Sequence, residues 1–206
     1  MHDFAYLGAM SRTTALLGAS LMAAALACVS HTIIPTNETS WKLKDEIPRR
    51  REQIVLVISP AFATPTPVEV ESADGVRRRF VIGTSLQDIT REYFEHAFAR
   101  VVTSETIPAQ ARGAAFVVAP ELSRFEVSAS RWTGVHELEI ALRAHVVSPD
   151  GGEPLGSYEG IGAEKVLGND AALGIGTNWA MQRAVADLVG RLARELPPSR
   201  LTELQR

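Results

Sequence analysis

Apolar side chains recur at helical spacing in two long stretches of the chain. Residues 84–102 carry one stripe and residues 178–196 carry the other, and each stripe fits one face of an amphipathic helix. Ser85, with Asp88 three residues later, predicts the first helix start, and Thr177 predicts the second. The stripe residues are Leu86, Ile89, Tyr93, Ala97 and Val101 in the first helix, and Met181, Val185, Leu188, Leu192 and Leu196 in the second.

A period of two predicts strands elsewhere. Between Leu138 and Val146, alternate positions are apolar, and all but one of the positions between them are polar or charged, as in an antiparallel strand covered on one face. A glycine-rich loop is predicted at residues 167–177, directly before the second helix. The predicted strands are residues 53–59, 114–130, 135–148 and 153–165.

Residues 68–82 predict a two-stranded ribbon, because alternating positions flank a turn at Asp74 and Gly75. We take Arg77, Arg79 and Phe80 on this ribbon as a candidate partner surface, since an aromatic ring beside arginines is typical of binding hot spots. Burial of Phe80 in the core is the alternative. The arginines would also protect an exposed edge against aggregation.

The order of elements is strand, ribbon, helix, three-strand meander, helix. Two amphipathic helices can cover the same apolar face of a mostly antiparallel sheet, which gives a two-layer α+β sandwich. We expect one globular domain over residues 53–197 and a frayed tail over residues 198–206.

The start of the chain predicts export. From Ala15 to Ala27 the chain is uncharged and mostly Ala and Leu. This stretch is shorter than the roughly 20 residues of a membrane-spanning helix, but it matches a secretory apolar region. We therefore expect residues 1–27 to be a signal peptide. Residues 1–9 lack Lys and Arg, so we expect translation to start at Met10, which places Arg12 in the positive leading region.

The segment that ends in "ALAC" resembles the lipobox of bacterial lipoproteins, whose cysteine becomes the first mature residue and carries the lipid. The resemblance implies acylation of Cys28, the only cysteine of the chain, which has no disulfide partner within it. It also implies an outer-membrane address, because Val29 stands where an aspartate retains such proteins at the inner membrane. The alternative is a plain signal peptide, a chance or buried thiol, and a periplasmic or secreted product.

Residues 28–52 mix Pro, Thr, Ser, Asn and charges without periodicity, which predicts a flexible tether between the lipid and the domain. The run from Arg49 to Arg51 belongs either to a solvated linker or to a segment that contacts anionic lipid headgroups.

Composition excludes some function classes and favours none. The 206-residue chain has a net charge of −3 and 46% apolar residues. The predicted signal peptide contains one Asp and one Arg, so its removal leaves the charge at −3. We expect no nucleic-acid partner, because such proteins usually carry a strongly basic face.

No motif of catalysis, metal binding or cofactor binding is present in the sequence. His136 and His145 fall on opposite faces of one predicted strand, so they cannot share a metal. The glycines at 174 and 176 lack the third glycine and the strand–helix context of a dinucleotide loop. We therefore expect no metal, no cofactor and no enzymatic activity.

The same order of elements resembles that of small envelope lipoproteins. It is carried by "IGTSLQDITREYFEHAFARVV", "AAFVVAPELSRFEV", "LEIALRAHVVSPDGGEPLGSYEGIG" and "NWAMQRAVADLVGRLAREL". The families with this pattern are YajG-like lipoproteins, auxiliary lipoproteins of ABC-type transport, and LptE-like lipoproteins of lipopolysaccharide assembly. The resemblance implies a non-catalytic accessory module that binds an envelope protein of an assembly or transport machine. A lipid or glycolipid carrier and a regulator of a cell-wall enzyme are the alternatives.

Overall fold

The computed structural model of the protein describes residues 30–36, 38–71, 75–130, 133–150 and 153–197. The predicted signal peptide, Met10, Cys28, Asp74 and the tail after residue 197 lie outside these residues. The described part has the α+β fold that the sequence predicts. Its helices are α1 (Trp41–Asp45), α2 (Pro60–Ala63), α3 (Gly83–Ala97) and α4 (Asp170–Glu195). Its strands are β1 (Ser30–Ile33), β2 (Arg50–Val57), β3 (Val68–Glu71), β4 (Arg77–Phe80), β5 (Phe98–Ser104), β6 (Phe116–Ala129), β7 (Val135–Val147) and β8 (Pro154–Leu167).

The larger sheet is mixed. Its strand order is β5-β2-β6-β7-β8, in which β6, β7 and β8 form the predicted antiparallel meander. Strand β2 instead runs parallel to both β5 and β6, so this end of the sheet differs from a mostly antiparallel one. The connection from β2 to β5 passes through the ribbon and α3, since parallel neighbours need a crossover.

The core lies between the larger sheet and helices α3 and α4. Alternate side chains of β7 point into it, and Leu138, Ile140 and Leu142 are at most 1% exposed. Their neighbours Glu137 and Glu139 lie on the opposite face, as the period of two predicts. A smaller apolar cluster on that opposite face joins Val55, Val57 and Val117 to Ala111 and Ala114 of the loop after β5.

Helix α3 begins and ends earlier than predicted. It starts at Gly83, and Ser85 is a buried residue inside it whose Oγ donates to the carbonyl of Pro35 at 3.1 Å, so the capping-box prediction was wrong. It ends at Ala97, and Val101 belongs to β5. The residues after Ala97 pair with β2, and this long-range pairing overrides their helical spacing.

Helix α4 starts at Asp170, so the predicted loop at 167–177 and the cap at Thr177 were wrong. The side chain of Asn169 accepts a hydrogen bond from the backbone N–H of Ala172 at 3.2 Å, which caps the true start. Gly176 lies inside the helix and faces β8. A Cβ at this position would be 2.1 Å from Cγ2 of Val166 on that strand. The glycine therefore permits close packing rather than a turn.

The predicted tether is largely part of the fold. Residues 30–52 contain β1, α1 and the start of β2. Strand β1 pairs in parallel with β4 and extends the ribbon to a three-stranded sheet of order β1-β4-β3. The sequence hid this because β1 is short and its pairing partner is distant in the chain.

Candidate membrane-proximal and partner surfaces

The N-terminal segment, residues 30–47, follows helix α4 from its first turn. In β1, Nδ1 of His31 lies 2.5 Å from Oδ2 of Asp170, the first residue of α4. The other carboxylate oxygen, Oδ1, accepts a hydrogen bond of 2.7 Å from Nε of Arg78 on β4. One carboxylate thus joins β1 and β4 to the helix start, where its negative charge also favours the helix dipole.

The environment of Asp170 holds its carboxyl group in the ionised form. Burial alone would raise the pKa of Asp170, but the hydrogen bonds from Arg78 and His31 outweigh it and keep the pKa below its usual range. The ion pair to Arg78 is therefore present throughout the neutral range.

Acid should weaken this connection. A carboxyl group whose pKa is lower in the folded state stabilises the fold above its unfolded pKa of about 3.9 and loses that contribution as the pH falls through the folded value. We expect the free energy of unfolding to fall less between neutral and acid pH in Asp170→Asn than in wild type. Urea unfolding at several pH values measures this difference. Asp88→Asn is the control, because Asp88 pairs with Arg91 on an exposed helix surface. If the free energy of unfolding has the same pH dependence in wild type and in Asp170→Asn, the stabilising role of the ionised Asp170 is contradicted.

A buried amide fixes the middle of the N-terminal segment. Gln182 of α4 is 2% exposed. Its Oε1 accepts hydrogen bonds from the backbone N–H of Ser40 at 2.5 Å and from the hydroxyl of Tyr93 at 3.2 Å. Its Nε2 donates to the carbonyl of Glu38 at 2.7 Å, and Nδ2 of Asn178 donates to the same carbonyl at 2.9 Å. Each polar group of the Gln182 side chain is therefore used to hold residues 38–40.

An ion pair beside this amide continues the attachment. Lys44 of α1 pairs with Glu92 of α3, and the hydroxyl of Thr39 donates to the same carboxylate at 2.7 Å. Burial raises the pKa of Glu92, but the hydrogen bonds from Lys44 and Thr39 bring it below its usual range. Burial, and to a smaller degree the charge of Glu92, raise the pKa of Tyr93. Both groups are thus held in one protonation state at neutral pH, which suits a structural role.

One arginine of the basic run from Arg49 to Arg51 is part of the packed fold. Arg50 pairs with Glu52 at 2.7 Å, and both side chains are at most 10% exposed. Arg50 also donates to the carbonyls of Leu196 and Pro197 at the end of α4. The guanidinium group of Arg50 therefore fixes the end of α4 to β2.

Four large apolar side chains are exposed along the N-terminal segment and α4. They form what we call the apolar strip: Ile34 (68% exposed), Trp41 (67%), Ile175 (52%) and Trp179 (38%). Ile34 lies beside Gly174, whose added Cβ would be 3.4 Å from the Ile34 carbonyl. Trp41 follows Ser40, which is bonded to Gln182. Ile34 and Trp41 thus lie near the two ends of the helix stretch from Gly174 to Gln182, and Ile175 and Trp179 lie one turn apart within that stretch.

The ribbon separates the three residues of the predicted partner surface. Arg77 and Arg79 are exposed, and the strand register places them opposite Glu71 and Glu69 of β3. Phe80 is 1% exposed and packs edge-on against Phe125, with ring centres 5.8 Å apart. Phe80 is thus a core residue and cannot belong to the surface, because alternation along β4 turns it inward.

A groove of about 790 Å³ lies where β3 approaches the far end of the meander. Five glutamates line it, and most already have cationic partners. Lys165 lies 2.6 Å from Glu137, Arg183 lies 3.1 Å from Glu164, and Arg124 pairs with Glu139. Within the described ranges, no group of three or more potential metal ligands is found. The lining glutamates are Glu69, Glu126, Glu137, Glu139 and Glu164.

The two sheets differ in how their edges are covered. On β8, the backbone N–H of Ile161 donates to Asp187 of α4 at 3.2 Å, and Arg183 donates to the carbonyl of Ala163 at 3.3 Å. Side chains of α4 thus occupy this edge. Strand β3 is an edge strand of the smaller sheet and borders the groove, which is the geometry that adds a strand from a partner.

The two strand histidines lie apart, as predicted. His136 is 5% exposed and belongs to the face of β7 that packs on the helices. His145 lies on the open face, where its Nε2 is 3.3 Å from a carboxylate oxygen of Glu121.

In the described part of the chain, no helix is both long and apolar enough to span a bilayer.

Comparison with solved structures identifies the fold. A DUF330 protein from Xanthomonas campestris matches 84% of this chain and 97% of its own length, at 16% identity and a TM-score of 0.55. A PelC dodecamer from Paraburkholderia phytofirmans matches 71% of this chain and 91% of its own, at 13% identity and a TM-score of 0.41. A lipoprotein from Neisseria meningitidis matches 60% and 90%, at 12% identity and a TM-score of 0.34.

The first of these matches shows a shared fold, and the other two are too distant to support an argument about this chain. No protein-family model and no curated protein sequence matches it.

Proposed function

We propose that this protein is a lipid-anchored, non-catalytic binding module of the bacterial envelope, held at the outer membrane through Cys28. Its domain faces the periplasm and serves a protein partner in an assembly or transport machine. The observation that carries the proposal is the position of β1. Ser30, two residues after Cys28, already lies in that strand, so an acylated N-terminus at Cys28 would adjoin the folded domain directly.

The ionisable groups of the described residues support a binding role. The two carboxyl groups with shifted pKa values, Glu92 and Asp170, are held ionised by cationic partners. A general acid or base requires the opposite, a pKa near the working pH. The groove beside β3 offers instead an open strand edge and a polar rim.

Packing argues against the carrier alternative. A carrier needs an apolar cavity between helices and sheet, but here α4 lies directly on β8. A Cβ on Gly160 would be 2.3 Å from the carbonyl oxygen of Ala184, and one on Gly162 would be 1.9 Å from that of Ala180. Met181, Leu188 and their neighbours fill the rest of this layer with no exposure. An acyl chain therefore does not fit between α4 and the backbone of Gly160 and Gly162.

Loss of the thiol should abolish anchoring. We expect Cys28→Ala to leave the protein without acyl chains and outside the membrane fraction, because each buried methylene of a lipid adds about 0.8 kcal/mol of membrane affinity. Intact-mass spectrometry of protein purified from membranes measures the acyl chains, and cross-linking in the same cells identifies envelope proteins recovered with wild type but not with Cys28→Ala.

Ser30→Ala is the matched control, since Ser30 is exposed and also close to the predicted cleavage point. It should be acylated and recovered like wild type. An unmodified Cys28 in wild-type protein would refute the anchor. An acylated protein without any specific envelope partner would refute the binding role.

A further inference from the structure

We propose that the apolar strip seats the domain directly on the phospholipid surface of the membrane that holds Cys28. This inference rests on the proposed acylation of Cys28 and adds an orientation to it. The four side chains of the strip, Ile34, Trp41, Ile175 and Trp179, are exposed, whereas the apolar residues on the inner face of α4 are buried. Neighbouring exposed apolar side chains mark interaction sites more often than singly scattered ones do.

The short link to Cys28 decides which surface the strip meets. His31 is bonded to Asp170 at the start of α4. Cys28 is three residues before His31, so their Cα atoms are at most about 10 Å apart. Ile175 is five residues after Asp170, about 7.5 Å along the helix. Acyl chains on Cys28 would therefore hold the bilayer within a short distance of the strip, because β1 fixes the chain to the domain from Ser30 onward.

The chemistry of the strip suits a lipid headgroup region. Tryptophan is enriched at membrane–water interfaces, where its ring lies among the apolar chains and its N–H stays near water. Nζ of Lys42 lies 5.8 Å from the centre of the Trp41 ring, and Lys42 is exposed, so its ammonium group can reach a lipid phosphate. Asp170, the acidic group at the anchor end of the strip, is already paired with Arg78 and repels anionic lipid only weakly.

Tryptophan quenching by lipid tests the seating. The chain has three tryptophans, so Trp132→Phe leaves Trp41 and Trp179 as the only emitters. The processed full protein is reconstituted into phospholipid vesicles whose acyl chains are brominated near the headgroup. We expect a loss of tryptophan emission, and a shift of the remaining emission to shorter wavelength, relative to vesicles without bromine.

The matched pair of variants is Ile175→Glu and Ile107→Glu, both made in the Trp132→Phe protein. Ile107 is 50% exposed, close to the 52% of Ile175, but its loop packs on the opposite face of the larger sheet. We expect Ile175→Glu to restore most of the emission and Ile107→Glu to leave the quenching unchanged.

The remaining outcomes separate this inference from the anchor itself. If mass spectrometry shows acylated Cys28 but bromine does not quench either tryptophan, the anchor stands and the seating is refuted. Another outcome is that the protein sediments as a dimer in which lipid bromine and aqueous iodide both fail to quench the two tryptophans. That result would refute contact with lipid and would show that the strip binds a second copy of this chain. An unmodified Cys28 would refute both proposals.

Discussion

Gly162→Ala should destabilise the protein by about 3 kcal/mol, measured as the free energy of unfolding in urea. The reason is a backbone clash. A Cβ on Gly162 would be 1.9 Å from the carbonyl oxygen of Ala180 and 2.5 Å from the amide nitrogen of Ala184, and neither backbone atom can move without displacing α4 from β8. Outside such a clash, replacing Gly by Ala usually stabilises a protein slightly, by restricting the unfolded chain.

The matched control lies on the same strand. A Cβ on Gly156 would meet only the ring of Tyr158, at 3.3 Å, and this side chain can turn aside. We expect Gly156→Ala to change the free energy of unfolding by less than about 0.5 kcal/mol. Hydrogen exchange provides a second readout, because the Ile161 amide bonded to Asp187 should exchange faster in Gly162→Ala. Equal unfolding free energies for the two variants would show that α4 can move away from β8 at little cost.

The glycines of this interface explain why α4 was predicted too short. Glycine costs about 1 kcal/mol in a helix relative to alanine, so Gly174 and Gly176 predict a loop when residues 167–177 are considered alone. The compensation lies in β8, where Val166 fills the space that Gly176 leaves. A local pattern cannot contain this information, because it depends on a helix and a strand that meet only in the folded chain.

The meander and the helical stripes could be predicted because their signals are local. Alternation from Leu138 to Val146 depends on one strand with one covered face, and the structure confirms it. The end of α3 could not be predicted in this way. Ala97 and Val101 continue the helical spacing, yet Phe98–Ser104 forms a strand because β2 offers a parallel partner, and such pairing leaves no periodic signal in the neighbouring sequence.

The candidate surfaces were predicted less completely than the fold. The ribbon itself was correct, but Phe80 is buried against Phe125. The sequence pattern does not predict the apolar strip, because Trp41 falls in the predicted tether and Ile175 in the predicted loop. The available signal was Asn169 followed by Asp170, a helix-start pattern that would have placed Ile175 and Trp179 one turn apart on the same helix face.

Gln182→Met should destabilise the protein by about 2–3 kcal/mol, because it removes a buried amide that bonds three polar groups while nearly preserving the volume of the side chain. These groups are the N–H of Ser40, the hydroxyl of Tyr93 and the carbonyl of Glu38, of which the last keeps its hydrogen bond from Asn178. Urea unfolding measures the loss. Glu95→Met, on the exposed surface of α3, is the control and should cost less than about 0.5 kcal/mol.

A double-mutant cycle shows whether these groups act as one network. Tyr93→Phe removes only one hydrogen bond of Gln182. The losses in unfolding free energy of Tyr93→Phe and Gln182→Met should therefore add up to more than the loss in the double variant. Additive effects would contradict the shared amide. In the folded protein, Gln182→Met should also loosen Ser40, and with it the neighbouring Trp41, from α4, while His31 and β1 stay in place. Quenching of Trp41 by lipid bromine should then fall while Cys28 keeps its acyl chains, since the amide orients the domain and the thiol attaches it.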